Sequence, residues 1–321
     1  MKLIILLRFQ LLFFSLCSFL TLFGQIPTGY YSSAEGLTKN ELKEELNNII
    51  DGHIEFPYTS SAVDVWDILK DTDRDTIDTS KVVLLYTGWT VNAEQEYNFG
   101  SGWTREHVWA KSRGNFGTSK GAGTDVHALR PCNVSVNTAR NNRWFSYGDY
   151  EYIHSDGPTG CYTSSTSWVW EPRDKVKGDV ARMIFYMATR YEGKNGELDL
   201  EVIDSIPSNM YTNEPVHAKL SVLMQWHIED PVDDWERRRN DIIFYKYQKN
   251  RNPFIDHPEF ANEIWGHVTS VDKNIKKNEN VKLIKVVDFL GRETAIKQGL
   301  IQFYIYSDGS VQKRVGTTEL E

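Results

Sequence analysis

Between Arg105 and Arg143 the chain crowds a carboxylate, an imidazole, amide side chains and several guanidinium groups into one short stretch punctuated by glycine. That crowding leaves few ways to fold it. Glu106 and His107 are adjacent, and Asn137 follows thirty residues beyond His107. Neighbouring residues on a strand point to opposite faces, so Glu106 and His107 reach one site only from a strand end or a bulge.

The formal net charge of -8 over 321 residues argues at first sight against a polyanionic partner. Its distribution says otherwise. From Arg105 to Arg143 the bases are Arg105, Lys111, Arg113, Lys120, Arg130, Arg140 and Arg143, and the acids are Glu106 and Asp125, leaving +5. The acidity lies elsewhere, notably between Glu41 and Asp78.

The 40% apolar and 13% aromatic content is enough for a sizeable core. Residues 1–24 read as a signal peptide, with Lys2, an apolar run from Leu11 to Phe23 and small Gly24 before Gln25. Residues 25–268 are expected to form the main domain, 269–282 a polar Lys/Asn-rich linker, and 283–321 a small all-β module with strands at 283–289 and 301–306. Thr38 with Glu41 predicts a capping box, and Leu42, Leu46, Ile49 and Ile50 an amphipathic helix ending at Gly52. Lys81 to Tyr86 predicts a strand. Asp71 to Asp75 imitates a calcium loop, but Thr76 stands where glycine is needed and Val82 where glutamate is needed, so an acidic surface turn is expected. Val180, Ile184, Met187 and Tyr191 belong to an amphipathic helical repeat. Helices are also expected through Leu220 to His227 and from Asp234 to Tyr247, the second carrying Arg237-Arg238-Arg239 as a solvated face.

Cys132 and Cys161 are an even pair in an exported chain and are expected to bridge, worth roughly 3 to 4 kcal/mol on the chain-entropy model. The competing reading is two buried thiols. Trp103, Trp109 and Trp144 are candidates for stacking on bases, with core packing the alternative.

Hydrolysing a phosphodiester requires an activated water and neutralisation of charge on the nonbridging oxygens. Mg2+ prefers oxygen ligands and keeps waters, so one carboxylate and one amide oxygen suffice: Glu106 and Asn137. Mn2+ and Ca2+ are the other candidate ions. His107 is the candidate general base. Asp125 and His127 share a strand face and are expected to support the site rather than to hold metal, and Arg105 and Asn142 are expected to support it or touch substrate.

The sequence also resembles a known family. Arg105-Glu106-His107-Val108-Trp109, Thr124-Asp125-Val126-His127-Ala128-Leu129-Arg130-Pro131 and Ser135-Val136-Asn137 with Arg140, Asn142 and Phe145 are similar to the bacterial endonuclease I family of secreted nonspecific nucleases. The likeness continues through Trp170-Glu171-Pro172-Arg173-Asp174 and Lys177-Gly178-Asp179 to Asn250-Arg251-Asn252-Pro253-Phe254. It implies an α+β fold with a ββα-metal (His-Me finger) core surrounded by helices, metal on Glu106 and Asn137, and water activated by His107. The substrates would be DNA and RNA, and the products 5'-phosphorylated oligonucleotides. Ala128 departs from the Asn or His common in the family. For the family's phosphate-stabilising arginine the candidates are Arg113 and Arg140. Val286-Val287-Asp288-Phe289-Leu290-Gly291 and Ile305-Tyr306-Ser307-Asp308-Gly309 resemble a type IX secretion sorting domain. That resemblance implies export across both membranes to the cell surface or the medium. A monomer is expected. The competing readings are a surface-displayed, noncatalytic nucleic-acid-binding module and a phosphodiesterase for small substrates.

Overall fold

The computed structural model describes residues 26–266, 283–288, 292–297, 301–307 and 311–315. The expected leader and linker lie outside them. The chain divides into two compact units between Gly266 and His267.

The first unit is α+β. Its helices are α1 (Lys39–Ile50), α2 (Val65–Thr72), α3 (Val134–Arg140), α4 (Lys177–Arg190), α5 (Leu220–Glu229), α6 (Asp234–Ile242), α7 (Pro253–Asp256) and α8 (Glu259–Trp265). Short strands lie between them. Strands β1 (Lys81–Val83) and β2 (Thr90–Asn92) pair antiparallel, as do β3 (Trp103–His107) and β4 (Leu129–Asn133). Strands β5 (Trp144–Phe145), β6 (Tyr150–His154), β7 (Gly157–Thr163) and β8 (Val169–Glu171) form one sheet in the order β5-β8-β7-β6. A parallel pair, β9 (Glu201–Ile203) and β10 (Val216–Ala218), completes the unit. No described helix is long and apolar enough to cross a membrane.

Helix α4 is the axis of the core and is buried along its whole length. Leu42, Leu46 and Ile50 of α1, Leu223 and Trp226 of α5, and Phe254 and Phe260 join Ile184 and Met187 in one apolar cluster. Each such side chain contributes roughly 1.5–3 kcal/mol on removal from water. The repeat expected at 180–191 is therefore more than amphipathic. The polar side of α4 is buried too, because each charge there has a partner: Arg182 on Glu236 at 2.6 Å, Arg190 on Glu197 at 2.7 Å and Asp179 on Arg130 at 2.9 Å.

The same rule corrects two surface expectations. Asp73 in the calcium-like run is fully buried between Arg130 and Arg239, and so is no surface turn residue. In the Arg237-Arg238-Arg239 triplet only Arg237 is well exposed; Arg238 donates to the Asp71 and Thr72 carbonyls, and Arg239 to those of Val126 and Leu129. These contacts anchor the β3–β4 ribbon. Arg130, on β4, ties it to the end of α2 through Asp73 and to the start of α4 through Asp179.

Thr38 occupies the N-cap of α1 without a side-chain cap bond, whereas capping boxes form at Asp64/Asp67 on α2 and at Asp233/Glu236 on α6. The strand expected at Lys81 to Tyr86 stops at Val83, and the Leu85 amide then donates to Pro131 O. Cys132 and Cys161 are both free and buried, which corrects the expected bridge. Cys161 Sγ is engaged instead by Tyr86 O at 3.1 Å. Trp103, Trp109 and Trp144 are buried, with indole N–H groups on the carbonyls of Ala93, Arg113 and Met210, so none is available for a base.

In the second unit β11 (Leu283–Val287), β12 (Ile301–Tyr306) and β13 (Val311–Val315) form a three-stranded antiparallel sheet. Val286, Val287 and Tyr304 are buried.

Candidate active site

Strand β3 ends at His107, which pairs with Leu129, while Glu106 pairs with Arg130. The chain returns as β4 and turns at once into α3, because Asn133 stands at the N-cap and its Oδ1 accepts from Ser135 N at 2.9 Å and Val136 N at 3.2 Å. This ββα unit lets a residue one helical turn into α3 face the end of β3. Glu106, His107 and Asn137 line one cavity of about 500 Å³ with Tyr58, Arg105 and Arg140. The strand-end requirement is met.

His107 is 8% exposed and its ring stacks on Tyr58, centroids 5.6 Å apart. Its Nε2 lies 3.0 Å from Gly123 O. A carbonyl only accepts, so Nε2 carries the hydrogen and Nδ1 keeps its lone pair. Gly123 is needed there: a Cβ would collide with the carbonyls of Gly117 and Ser119 in the turn that delivers this oxygen. Burial pushes the imidazole down to about 4, with the cations Lys111, Arg105 and Arg140 acting in the same direction against the Gly123 bond. It is a neutral ring with one free acceptor.

Glu106 is 2% exposed. Tyr86 O–H donates to its Oε1 at 2.7 Å, and Arg140 Nε stands 3.3 Å from the same oxygen. Burial raises the carboxyl, while Arg140 and the Tyr86 hydroxyl oppose the rise. Among the described residues Oε2 takes no hydrogen bond. Asn137 donates weakly from Nδ2 to Arg105 O at 3.5 Å, which leaves Oδ1 as an acceptor on the cavity wall. Among the described residues no group of three or more His, Cys, Asp and Glu could hold a metal. One carboxylate oxygen and one amide oxygen on a shared wall do fit a hard cation that retains most of its waters.

The two arginine candidates part company. Arg113 is fully buried over Trp144, its guanidinium carbon 3.1 Å from the ring centroid, and donates to the carbonyls of Thr212, Asn142 and Met210. It lies off the cavity lining and braces the loop 210–212, which corrects its assignment to phosphate. Arg140 lines the cavity but donates to the carbonyls of His107, Val108 and Asn141, so it chiefly fixes the end of β3 and turns Glu106 inward. Arg105 lies on the cavity wall, sandwiched against Tyr58 and Trp66 with its carbon 3.4 and 4.0 Å from the rings. Asn142 also lines the cavity, its Nδ2 donating to Ser112 Oγ at 3.3 Å.

Asp125 and His127 lie off the cavity lining, in the core. Asp125 accepts from Tyr186, Tyr191, Gln248 and the His127 amide, and His127 Nε2 meets Asn250 O at 3.2 Å. They fasten the long β3–β4 connection to α4. Sequence reasoning missed Tyr86, Tyr58 and Lys111. Lys111 is an exposed lysine on the cavity rim with no ion pair among the described residues. Its closeness to His107 in sequence was the signal that could have found it; Tyr58 and Tyr86 are distant in sequence and gave none.

One other cluster imitates catalytic chemistry. Ser135 Oγ lies 2.6 Å from His154 Nε2, and Asp156 lies 3.5 Å from Nδ1. The Asp156 amide donates to Nδ1 and Ser135 Oγ donates to Asn133, so the imidazole carries its hydrogen on Nε2 and cannot take one from serine.

The family model for endonuclease I matches residues 38–259. The extracellular ribonuclease of Bacillus subtilis (strain 168) is 52% identical over 240 residues, 74% of this chain and 78% of the relative. The extracellular ribonuclease of Bacillus amyloliquefaciens is 50% identical over 236 residues, again 74% and 78%. The endonuclease-1 of Buchnera aphidicola subsp. Baizongia pistaciae (strain Bp) is 27% identical over 140 residues, 41% of this chain and 46% of the relative. With the ββα unit and its cavity inside the matched region, the chain is a nuclease and belongs to the endonuclease I family.

Proposed function

We propose that the protein is a secreted, Mg2+-dependent, nonspecific endonuclease that cuts RNA and DNA to 5'-phosphorylated oligonucleotides, with His107 as general base and Glu106 and Asn137 as the metal ligands. The observation that carries the reading is the convergence of three unlike groups on one cavity: a carboxylate with one oxygen uncommitted, an amide oxygen, and an imidazole whose tautomer is fixed by Gly123. A divalent cation bound to such a pair would neutralise the nonbridging phosphate oxygens and acidify water.

The chain's own groups have separable tasks. His107 Nδ1 takes the proton of the attacking water as its oxygen bonds to phosphorus and the P–O3' bond breaks, the departing 3'-oxygen keeping the bonding electrons and taking a proton from bulk water. Tyr86 and Arg140 hold Glu106 Oε1 so that the other oxygen stays toward the cavity. Arg105 and Lys111 supply positive charge to the rim. Phosphate contacts should then dominate affinity, with little sequence preference and a steep loss of binding as salt rises.

RNA as a substrate and release from the cell are favoured by the two Bacillus relatives, both called extracellular ribonucleases. The apolar leader at 1–24 and the type IX-like tail suit that route. Domain limits of 25–268 and 283–321 fit it also. The decisive assay is cleavage of plasmid DNA and of a long RNA with Mg2+ and with EDTA, beside His107→Ala. Cleavage should vanish with EDTA and fall about 100- to 10,000-fold in the variant. Intact polymers in every condition, from folded protein, would overturn the proposal.

A further inference from the structure

We propose that Arg143, Trp168 and Tyr211 form a nucleotide-holding subsite beside the cavity, taking an unpaired base on the exposed aromatic surface and its phosphate on the guanidinium, so that single strands are preferred over duplex. The inference rests on the reading of the cavity as the place where phosphodiesters are cut.

Arg143 directly follows Asn142, a cavity residue. Its guanidinium carbon lies 3.8 Å over the Trp168 ring, and its Nε donates to Ala139 O at 3.0 Å. Among the described residues it has no carboxylate partner, unlike Arg130, Arg182, Arg190 and Arg251. An arginine left without an acid beside a phosphate-cutting cavity suits a phosphate. Trp168 continues the stack: the Tyr211 ring stands edge-on to it with centroids 5.1 Å apart. Tyr211 is 58% exposed, so its ring is not needed to fill the core.

The stack is tied to the cavity wall. Trp168 Nε1 donates to Asn142 Oδ1 at 2.7 Å, and Asn142 in turn reaches Ser112 on the cavity lining. A nucleotide whose phosphodiester lies in the cavity therefore places its neighbour over a cation and an exposed ring, the combination that holds single strands without reading sequence. In a duplex the bases are already stacked on one another and offer no free face to Tyr211.

The test compares wild type, Tyr211→Ala and Tyr211→Phe on a single-stranded oligonucleotide and on a duplex of the same sequence. Tyr211→Ala should raise KM for the single strand roughly 5- to 100-fold, with kcat and the duplex KM within about twofold, and Tyr211→Phe should follow wild type. Equal losses on both substrates, or none, would overturn the subsite. Turnover of bis(p-nitrophenyl) phosphate by wild type reports on the cavity by itself. Should wild type cut nothing, fluorescence anisotropy of the labelled single strand on His107→Ala, with and without Tyr211→Ala, decides separately. Weaker binding in the double variant upholds the subsite, and unchanged binding sinks it.

Discussion

Two acid–histidine pairs lie in the same ββα unit, Glu106 with His107 at the end of β3 and Asp125 with His127 in the β3–β4 connection, and they have opposite fates. Both pairs are buried, and burial pushes both imidazoles down to about 4. Asp125 is saturated by Tyr186, Tyr191, Gln248 and the His127 amide. Glu106 is held on one oxygen only, and both it and His107 line a cavity. A perturbed pKa marks burial in either case. On the proposed function, what separates the reactive pair from the structural one is an uncommitted lone pair on a cavity wall.

The sharpest way to break the comparison is to remove each imidazole. His107→Ala should lower kcat about 100- to 10,000-fold while the melting temperature stays close to wild type. His127→Ala should keep near-normal turnover at low temperature but unfold earlier, because it opens a hole beside Tyr186 and orphans the Asn250 carbonyl, a loss on the order of 2 to 4 kcal/mol. Similar loss of activity in both variants, at temperatures where both are folded, would show that the distinction is wrong.

The carboxylates give the next contrast. Glu106→Gln should weaken Mn2+ binding at least 10- to 100-fold by calorimetry, the range set by losing even an indirect metal contact. Asp125→Asn should leave that affinity unchanged and reduce stability to urea by roughly 1–3 kcal/mol, since two tyrosine hydroxyls and an amide lose a charged acceptor. Equal effects of the two substitutions on Mn2+ would count against the assigned ligands.

Acid should expose the structural side. His227 is also held down at about 4 by burial, with Arg182 donating to its Nδ1 at 3.2 Å and Pro258 O accepting from Nε2 at 2.9 Å. Protonating Nδ1 would set two donors against each other. For His127 and His227 the unfolded chain binds protons from the ordinary histidine value downward and the folded chain does not. Stability is therefore complete above about pH 6.5 and falls as pH drops toward 4, by up to roughly 3 kcal/mol per group. Urea midpoints across this range should flatten in His227→Gln; an unchanged slope would mean that His227 is not held neutral.

The sequence made the finger legible because its constraints are local: a Glu-His pair at a strand end, an Asn133 cap and a helix bearing Asn137 all lie within forty residues. It misled where a charge depends on a distant partner. Asp73 and Arg239 read as surface residues because nothing in their own segments announces that they pair with each other, or that Arg130 joins Asp73 from the other side. Arg113 read as a phosphate ligand, yet the carbonyls of Thr212 and Met210 claim it from about a hundred residues away. Cys132 and Cys161 read as a bridge from parity alone, whereas Cys161 faces the Tyr86 carbonyl.

Tyr86 is where the two kinds of constraint meet, and it gives the smallest effect. Its hydroxyl reaches Glu106 from a buried turn that no local pattern points to, and removing the oxygen leaves the ring and its packing on Trp170 in place. Arg140 still stands beside the same carboxylate oxygen, so Glu106 stays turned inward. Tyr86→Phe should therefore cost the equivalent of one hydrogen bond to a charged group, about 1.5–3 kcal/mol at most and less where Arg140 compensates. The loss should fall on Mn2+ affinity, roughly three- to thirtyfold, rather than on kcat at saturating metal. A drop in kcat that excess metal does not restore would mean that the hydroxyl acts on the reacting groups themselves, and the division between holding Glu106 and doing chemistry would have to be redrawn around Tyr86.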